Sequence, residues 1–215
     1  MNAFPVVLSA PSGGGKTTIA RRLLKLRDDV GYSVSCTTRA PRPGEVNGVD
    51  YHFLTEAGFV ERRDRDEFAE WATVHGRLYG TLKSAVQRVL DDGRHVIMDV
   101  DVQGASQFAK AYPASVLVFV LPPSVEVLME RLVARGSEDR TTLLARLRDA
   151  SGELHMVEQY DYVVVNDDLE TAVATVSAIV DAEQVKRQRV EALDRQVEGL
   201  IARLQEEINS YRAQV

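Results

Sequence analysis

Apolar positions along this chain fall into two kinds of run. Phe4-Pro-Val-Val-Leu-Ser9, His95-Val-Ile-Met-Asp-Val100, Ser115-Val-Leu-Val-Phe-Val-Leu121 and Tyr162-Val-Val-Val-Asn166 are short, continuous and rich in β-branched residues. Runs of this length and content belong to strands buried on both faces. Between them lie stretches with helical spacing, such as Ile19, Leu23 and Leu26. Buried strands alternating with helices predict an α/β fold, a doubly wound and mostly parallel sheet covered on both sides.

Two stretches interrupt this core, which is predicted over residues 1–33, 84–123 and 154–185. In the first, residues 34–83, Ser33-Val-Ser-Cys-Thr-Thr38 alternates like an exposed strand, and Ala40-Pro-Arg-Pro-Gly-Glu-Val-Asn-Gly48 is rich in turn formers. Asp50-Tyr-His-Phe-Leu54 reads as another strand, followed by a charged amphipathic helix through about Trp71. This texture predicts a small inserted α/β subdomain. The second interruption, residues 124–153, reads as helical and is rich in arginine. Beyond residue 185 the spacing of Val190, Leu193, Val197, Leu200 and Leu204 is 3-4-3-4, and Ile208 and Tyr211 continue it after a slip. Residues 186–215 are therefore expected to form a long amphipathic helix, most simply folded back on its own domain, otherwise a contact between subunits. Two heptads fall short of the three or four that define a coiled coil.

Composition narrows the class. At 215 residues and 45% apolar content the chain can bury one substantial core and is too apolar to be mainly disordered. No run approaches the ~20 apolar residues that cross a bilayer. The first residues lack the basic start and apolar stretch of a signal peptide. The lone cysteine, Cys36, excludes disulfides within the chain and cysteine zinc clusters. A cytoplasmic protein with no membrane attachment is expected. The net charge of −6 argues against a nucleic-acid binder. That total hides a local surplus: residues 1–27 carry five basic side chains and no acid, and residues 30–44 carry Arg39 and Arg42, again with no acid.

The first basic segment holds the strongest motif. Ala10-Pro11-Ser12-Gly13-Gly14-Gly15-Lys16-Thr17-Thr18 lies between a predicted strand and a predicted helix. Glycines there let successive backbone N–H groups converge on phosphate oxygens, and the helix N-terminus adds partial positive charge. Lys16 is placed to reach the β and γ phosphates, and the Thr17 hydroxyl to bind Mg²⁺ directly. The usual G-x-x-x-x-G-K-[ST] pattern has glycine where this chain has Ala10, which is tolerable at negative φ. A nucleoside triphosphate is implied, though not what is done with it. Asp99, closing a strand, is a second carboxylate near metal or substrate, with Asp101 two residues on projecting to the same side if the strand continues.

Together these motifs resemble the guanylate kinase family. The resemblance is carried by Ala10–Thr17, by Ser35-Cys-Thr-Thr-Arg-Ala-Pro-Arg-Pro-Gly-Glu-Val-Asn-Gly48, by Tyr51, Glu70 and Tyr79-Gly-Thr81, by Asp99-Val-Asp101-Val-Gln-Gly104, and by Val165-Asn-Asp-Asp168. It implies a phosphate-loop core, an inserted GMP-binding subdomain at 34–83, a helical lid at 124–153 and a reaction that gives ADP and GDP from ATP and GMP with Mg²⁺. Arg39 and Arg42, three apart in a proline-bound turn, can clamp one phosphate with both guanidinium forks. The family uses them for the GMP phosphate, with Ser35, Tyr51 and Tyr79 completing that pocket. Glu70 and Thr81 take the guanine edge, and Asp99 and Asp101 lie on the GMP side, with Asp99 reaching Mg²⁺ through water. Arg131, Arg135 and Arg146 belong to the lid and neutralise the transferring phosphoryl group, and Asn166 matches an adenine contact. Leu78 and Cys36 depart from the family pattern without removing a required charge or donor. Two other readings share parts of this pattern: a guanylate-kinase-like domain that binds without catalysis, and a kinase of another phosphorylated acceptor such as ribose 1,5-bisphosphate.

Overall fold

A computed structural model of the chain describes residues 3–74, 76–134 and 140–212. The short apolar runs form a five-stranded sheet in which every pairing is parallel. Strand β1 (Pro5–Ser9) lies at its centre between β7 (His95–Asp99) and β8 (Val116–Leu121), with β2 (Val30–Tyr32) and β9 (Tyr162–Val165) at the edges. Parallel neighbours need crossovers, and helices α1 (Lys16–Leu26), α3 (Lys83–Asp91) and α4 (Val102–Ala111) lie in them, while α7 (Leu169–Gln184) follows the last strand and packs beside α1. The alternation along β1 divides the core in two. Val6 and Leu8 join Ile19 and Leu23 of α1 and Val176 of α7. Val7 joins Val96, Met98, Val86 of α3 and Phe108 of α4 on the opposite face. The doubly wound α/β core follows from these two burials, and it puts the C-terminal ends of β1 and β7, Ser9 and Asp99, at one edge of the sheet.

The first insertion folds as a separate mixed sheet, ordered β4 (His52–Phe53), β3 (Cys36–Thr37), β6 (Arg77–Leu82) and β5 (Phe68–Val74). Two expectations are corrected here. The strand read over 33–38 is reduced to Cys36–Thr37, which is buried rather than exposed. The helix read through Trp71 ends early: α2 covers Glu56–Asp64, and Asp66 turns the chain at φ 56. The residues that follow pair antiparallel with β6, and a register shift between Phe68 and Glu70 leaves Phe68, Ala69 and Glu70 all buried. Such a bulge erases the period-two signal that would have marked a strand. Phe59 of α2 stacks on Phe68, ring centres 4.4 Å apart, and fixes helix to sheet.

The second insertion is helical as expected, with α5 (Val125–Ala134) and α6 (Arg140–Leu154) around Leu128, Leu132, Leu147 and Ala150. At the end of α7, Glu183 is almost fully buried. Its carboxylate accepts from the Tyr162 hydroxyl at 2.7 Å and pairs with Lys186 and Arg189, each at 3.1 Å. The Arg189 guanidinium also lies over the Phe4 ring, 4.1 Å from its centre. The chain then turns at Ala192 (φ 53) into α8 (Leu193–Arg212). Every residue of α8 from Asp194 onward is exposed, so the expectation of a helix folded back on its own domain is overturned. No helix among the described residues is long and apolar enough to cross a membrane.

Phe108 joins α4 to the sheet with no exposure at all and stacks on Tyr112. Phe108→Ala is expected to lower unfolding free energy by about 3–5 kcal/mol, read from urea denaturation.

Candidate active site

The phosphate loop spans the gap between β1 and α1, and its glycines answer to identifiable contacts. Gly13 (φ 88) and Gly15 (φ 92) occupy the left-handed region. Gly14 packs so closely that an added Cβ would come within 2.5 Å of the Ala10 methyl group. At Gly15 a Cβ would lie 2.3 Å from the Asn166 amide, and at Gly13 it would press on Leu128 and Leu132 of α5. Ala10, where glycine is usual, is buried and has no positive φ. Gly15 precedes Lys16, the first residue of α1, so the helix N-terminus faces the loop. Asn166 is buried, and its side-chain amide donates to the Gly14 carbonyl at 2.9 Å. The residue matched to an adenine contact therefore braces the loop in this structure. Its own carbonyl accepts from Arg131 Nη2 at 2.9 Å.

At the C-terminal end of β7 the Thr17 hydroxyl donates to one Asp99 oxygen, while the Tyr32 hydroxyl donates to the other at 2.5 Å. Burial, and then the Asp99 charge, push the Tyr32 hydroxyl's pKa far up, so it stays a donor. The strand stops at Asp99. Asp101 does not continue it but caps α4, accepting from the Gly104 N–H at 2.7 Å, which corrects the expectation that both acids project alike. Thr17 and Asp99 present hard oxygen atoms side by side, a pair that suits a Mg²⁺ ion completed by phosphates and water. Among the described residues, no three His, Cys, Asp or Glu side chains gather to cage a metal without such help.

A second centre lies in the mixed sheet. Glu70 on β5 is 4% exposed. It accepts from the Thr81 hydroxyl at 2.6 Å, and Thr81 in turn lies 3.1 Å from the Ser35 hydroxyl. Ser35, expected beside the arginines, therefore belongs with Glu70 and Thr81. Burial pushes the Glu70 carboxyl up to about 7, against the opposing hydrogen bond from Thr81. Gly104 makes the room: a Cβ there would meet Glu70 Oε2 at 2.5 Å. A buried carboxylate flanked by two hydroxyls is a receptor for a flat edge bearing N–H donors.

The arginine turn holds one surprise. Glu45 takes both terminal nitrogens of Arg39, each at 2.9 Å, and also accepts the Arg42 N–H at 2.7 Å. Arg39 holds the Glu45 carboxyl below the usual carboxylate range. The fork expected to clamp an anion is thus pinned by an acid of the same turn, and buried Nε has no acceptor within hydrogen-bond distance among the described residues. Arg39 lies 5.4 Å from the Tyr51 ring centre, and Tyr51 meets Tyr79 edge-on at 6.0 Å. Arg39, Tyr51 and Tyr79 therefore form one cluster, and Arg42 stands exposed beside it.

Of the arginines in the second insertion, Arg131 reaches the loop through Asn166, Arg146 is half-buried on α6, and Arg135 lies outside the described residues. Sequence reasoning missed Glu45, Tyr32 and Glu153. Glu45 was visible within the arginine-proline run. Tyr32 and Glu153 carry no local signal, because their partners are distant in sequence. Glu153 of α6 accepts the Ser12 N–H of the loop at 3.0 Å, and its carboxyl is raised by burial.

A family model described as guanylate kinase matches residues 2–183. The sequence is 46% identical over 197 residues to a guanylate kinase of Thermotoga maritima, covering 90% of this chain and 95% of that one. It is 44% identical over 204 residues to a guanylate kinase of Clostridium perfringens, covering 95% and 92%. The crystal structure of guanylate kinase from Anaplasma phagocytophilum superposes with a TM-score of 0.77 at 35% identity, covering 92% of this chain and 95% of that one.

The raised Glu70 pKa has a defined sign in stability. Below about pH 4.5 the carboxyl is neutral folded and unfolded, and as pH climbs toward 7 the unfolded chain loses the proton first, so burial of Glu70 costs more. Glu70→Gln should therefore stabilise the protein at pH 8 by up to about 3 kcal/mol more than at pH 4.5. Urea midpoints at the two pH values measure the difference, and equal shifts would contradict the burial account.

Proposed function

The chain belongs to the guanylate kinase family, the ATP:GMP phosphotransferases, and we propose how its own residues divide that reaction. The loop's backbone N–H groups that have no acceptor within the chain, together with the Lys16 ammonium, hold the ATP phosphates. Ser12, Gly14 and Thr18 spend theirs on Glu153, Pro11 and Gly15 and so shape the turn with Ala10 and Pro11, and Asn166 braces the loop from behind. Thr17 would hold Mg²⁺ directly and Asp99 through water, and the ion when bound would supply charge neutralisation for the triphosphate. Guanine enters the Glu70 centre. Its N1–H and exocyclic amine are both donors, and a carboxylate accepts both, with Thr81 and Ser35 keeping that carboxylate oriented. Adenine brings an acceptor at N1 and would leave a buried charge facing a lone pair, at a cost of roughly 1–3 kcal/mol or more. Arg42, Tyr51 and Tyr79 hold the GMP phosphate, with Arg39 adding its charge beside them while Glu45 keeps its fork, and Asp101, by capping α4, keeps Gly104 against Glu70.

The attacking GMP phosphate oxygen is already anionic, so no general base is required. Its bond to the γ-phosphorus forms as the bond from that phosphorus to the β,γ-bridging oxygen breaks, and ADP leaves with the electron pair. Catalysis comes from in-line positioning and from charge neutralisation by Lys16, Arg39, Arg131, Arg135 and Arg146. Closure of the two insertions, residues 34–83 and 124–153, excludes water as a competing acceptor. On this reading the protein is a cytoplasmic, Mg²⁺-dependent enzyme of purine nucleotide metabolism that acts on ATP and GMP.

The single observation that carries the reading is the buried Glu70 carboxylate joined to Thr81 and Ser35. A domain that binds without catalysis has no use for Lys16, Thr17 and Asp99 around one loop, and a ribose bisphosphate kinase has no use for Glu70. A coupled assay offering GMP, AMP, UMP and ribose 1,5-bisphosphate should give dominant turnover of GMP. Lys16→Met should abolish turnover with the fold intact by circular dichroism. Glu70→Gln should lower kcat/KM for GMP by at least about tenfold, since tenfold is about 1.4 kcal/mol. AMP turnover equal to that of GMP would sink the base-recognition argument.

A further inference from the structure

Helix α8 lies beyond residues 2–183, the stretch that the family model matches, and contributes no residue to the site described above. Its large apolar residues are Leu193, Val197, Leu200, Ile201, Leu204, Ile208 and Tyr211. Val197, Ile201, Leu204, Ile208 and Tyr211 are spaced 4-3-4-3, the heptad alternation of a pairing helix, and Leu193 and Leu200 fall beside that seam. All seven therefore share one stripe along a helix about 30 Å long. Leu200, Leu204 and Tyr211 are 63%, 62% and 70% exposed, so this chain covers none of them.

Charge placement selects the occupant. Toward the C-terminal end the stripe lines a shallow groove formed by Leu204, Ile208 and Tyr211, bordered by Glu207 and Arg212. At helical spacing these two charged residues fall on opposite rims of the stripe. In a parallel, in-register pair of such helices, the rim carrying Glu207 faces the rim carrying Arg212 of the other copy, twice by symmetry. An antiparallel pair would set each rim against its own kind. The helix carries four acidic and three basic residues, unlike the Lys/Arg-rich polar face of a helix that lies on acidic lipid. Its root is fixed by Glu183 and Arg189, so the stripe is presented from an anchored base.

We propose that α8 is a self-association element through which two copies of this chain pair in parallel along this apolar stripe, with Glu207 of each copy matched to Arg212 of the other. The surface is independent of the phosphotransfer site, and activity per chain is retained when it is broken.

Sedimentation velocity of the full chain from roughly 1 to 100 µM tests this, with a monomer–dimer equilibrium expected inside that range. The double variant Leu200→Glu/Leu204→Glu should remain monomeric throughout, with unchanged turnover of GMP. Arg212→Glu alone should weaken pairing by about tenfold, and Glu207→Arg/Arg212→Glu should restore it. Ile208→Cys should form a disulfide-linked dimer on mild oxidation, since parallel helices bring the two sulfurs together, whereas the buried Cys36 of the parent chain should not. A parent chain that stays monomeric to the top of the range overturns the proposal, as does pairing untouched by the double glutamate variant. Failure of the charge swap to restore pairing overturns the parallel arrangement. Co-sedimentation of the parent chain, but not the double glutamate variant, with vesicles of phosphatidylglycerol and phosphatidylcholine would assign the stripe to a lipid surface instead.

Discussion

Backbone N–H groups that are to meet an anion must be held apart from the carbonyls of their own chain, and the rest of this structure is arranged around that requirement. A run of three glycines has no side chains with which to hold itself. Support arrives from four places, all but the first far away in sequence: the Ala10 methyl group under Gly14, Leu128 and Leu132 beside Gly13, the Asn166 amide on the Gly14 carbonyl, and Glu153 on the Ser12 N–H. Two of these come from the helical insertion and one from the end of β9. The geometry of the loop is thus a property of the assembled sheet and insertions. Asn166 extends the linkage, because its own carbonyl is held by Arg131.

The mixed sheet solves a different problem. A carboxylate that reads a base edge must be dry, or water would compete for every donor it is meant to choose. Drying Glu70 raises its pKa into the neutral range, so the group that supplies discrimination is also a destabilising one. The bulge at Phe68–Glu70, the absence of a side chain at Gly104 and the hydroxyl of Thr81 all act on this one group. Natural cores seldom tolerate such an arrangement without a functional reason.

What could be read from the amino-acid sequence followed from how local the physics was. Strands β1, β7 and β8 were visible because strands buried on both faces must be apolar at successive positions, whereas β9 was visible by its β-branched run although, as an edge strand, it leaves Val163 and Val165 half exposed. The phosphate loop was visible because strand, glycines, lysine and helix are contiguous. Strand β2 is three residues long and carries no pattern. Strand β5 was mistaken for the continuation of a charged helix, because a left-handed Asp66 and a bulge lie where periodicity would be counted. The grouping of Ser35 with Glu70 and Thr81, and of Tyr32 with Asp99, depends on tertiary placement that no spacing reveals. The tail was legible as a helix but not in its packing, since an apolar stripe looks the same whether its partner is the same chain or another.

The buried Glu183 separates two boundaries that would otherwise coincide. The family model ends at residue 183, but the buried contacts do not, because that carboxylate draws its counter-charges from Lys186 and Arg189 beyond it. A chain shortened at the edge of the likeness would strand an acid in the interior and uncover Phe4 at the start of the central strand. Arg189 is therefore a charge and a covering plane that the core draws on, and a shortened chain keeps both only if it runs past that residue.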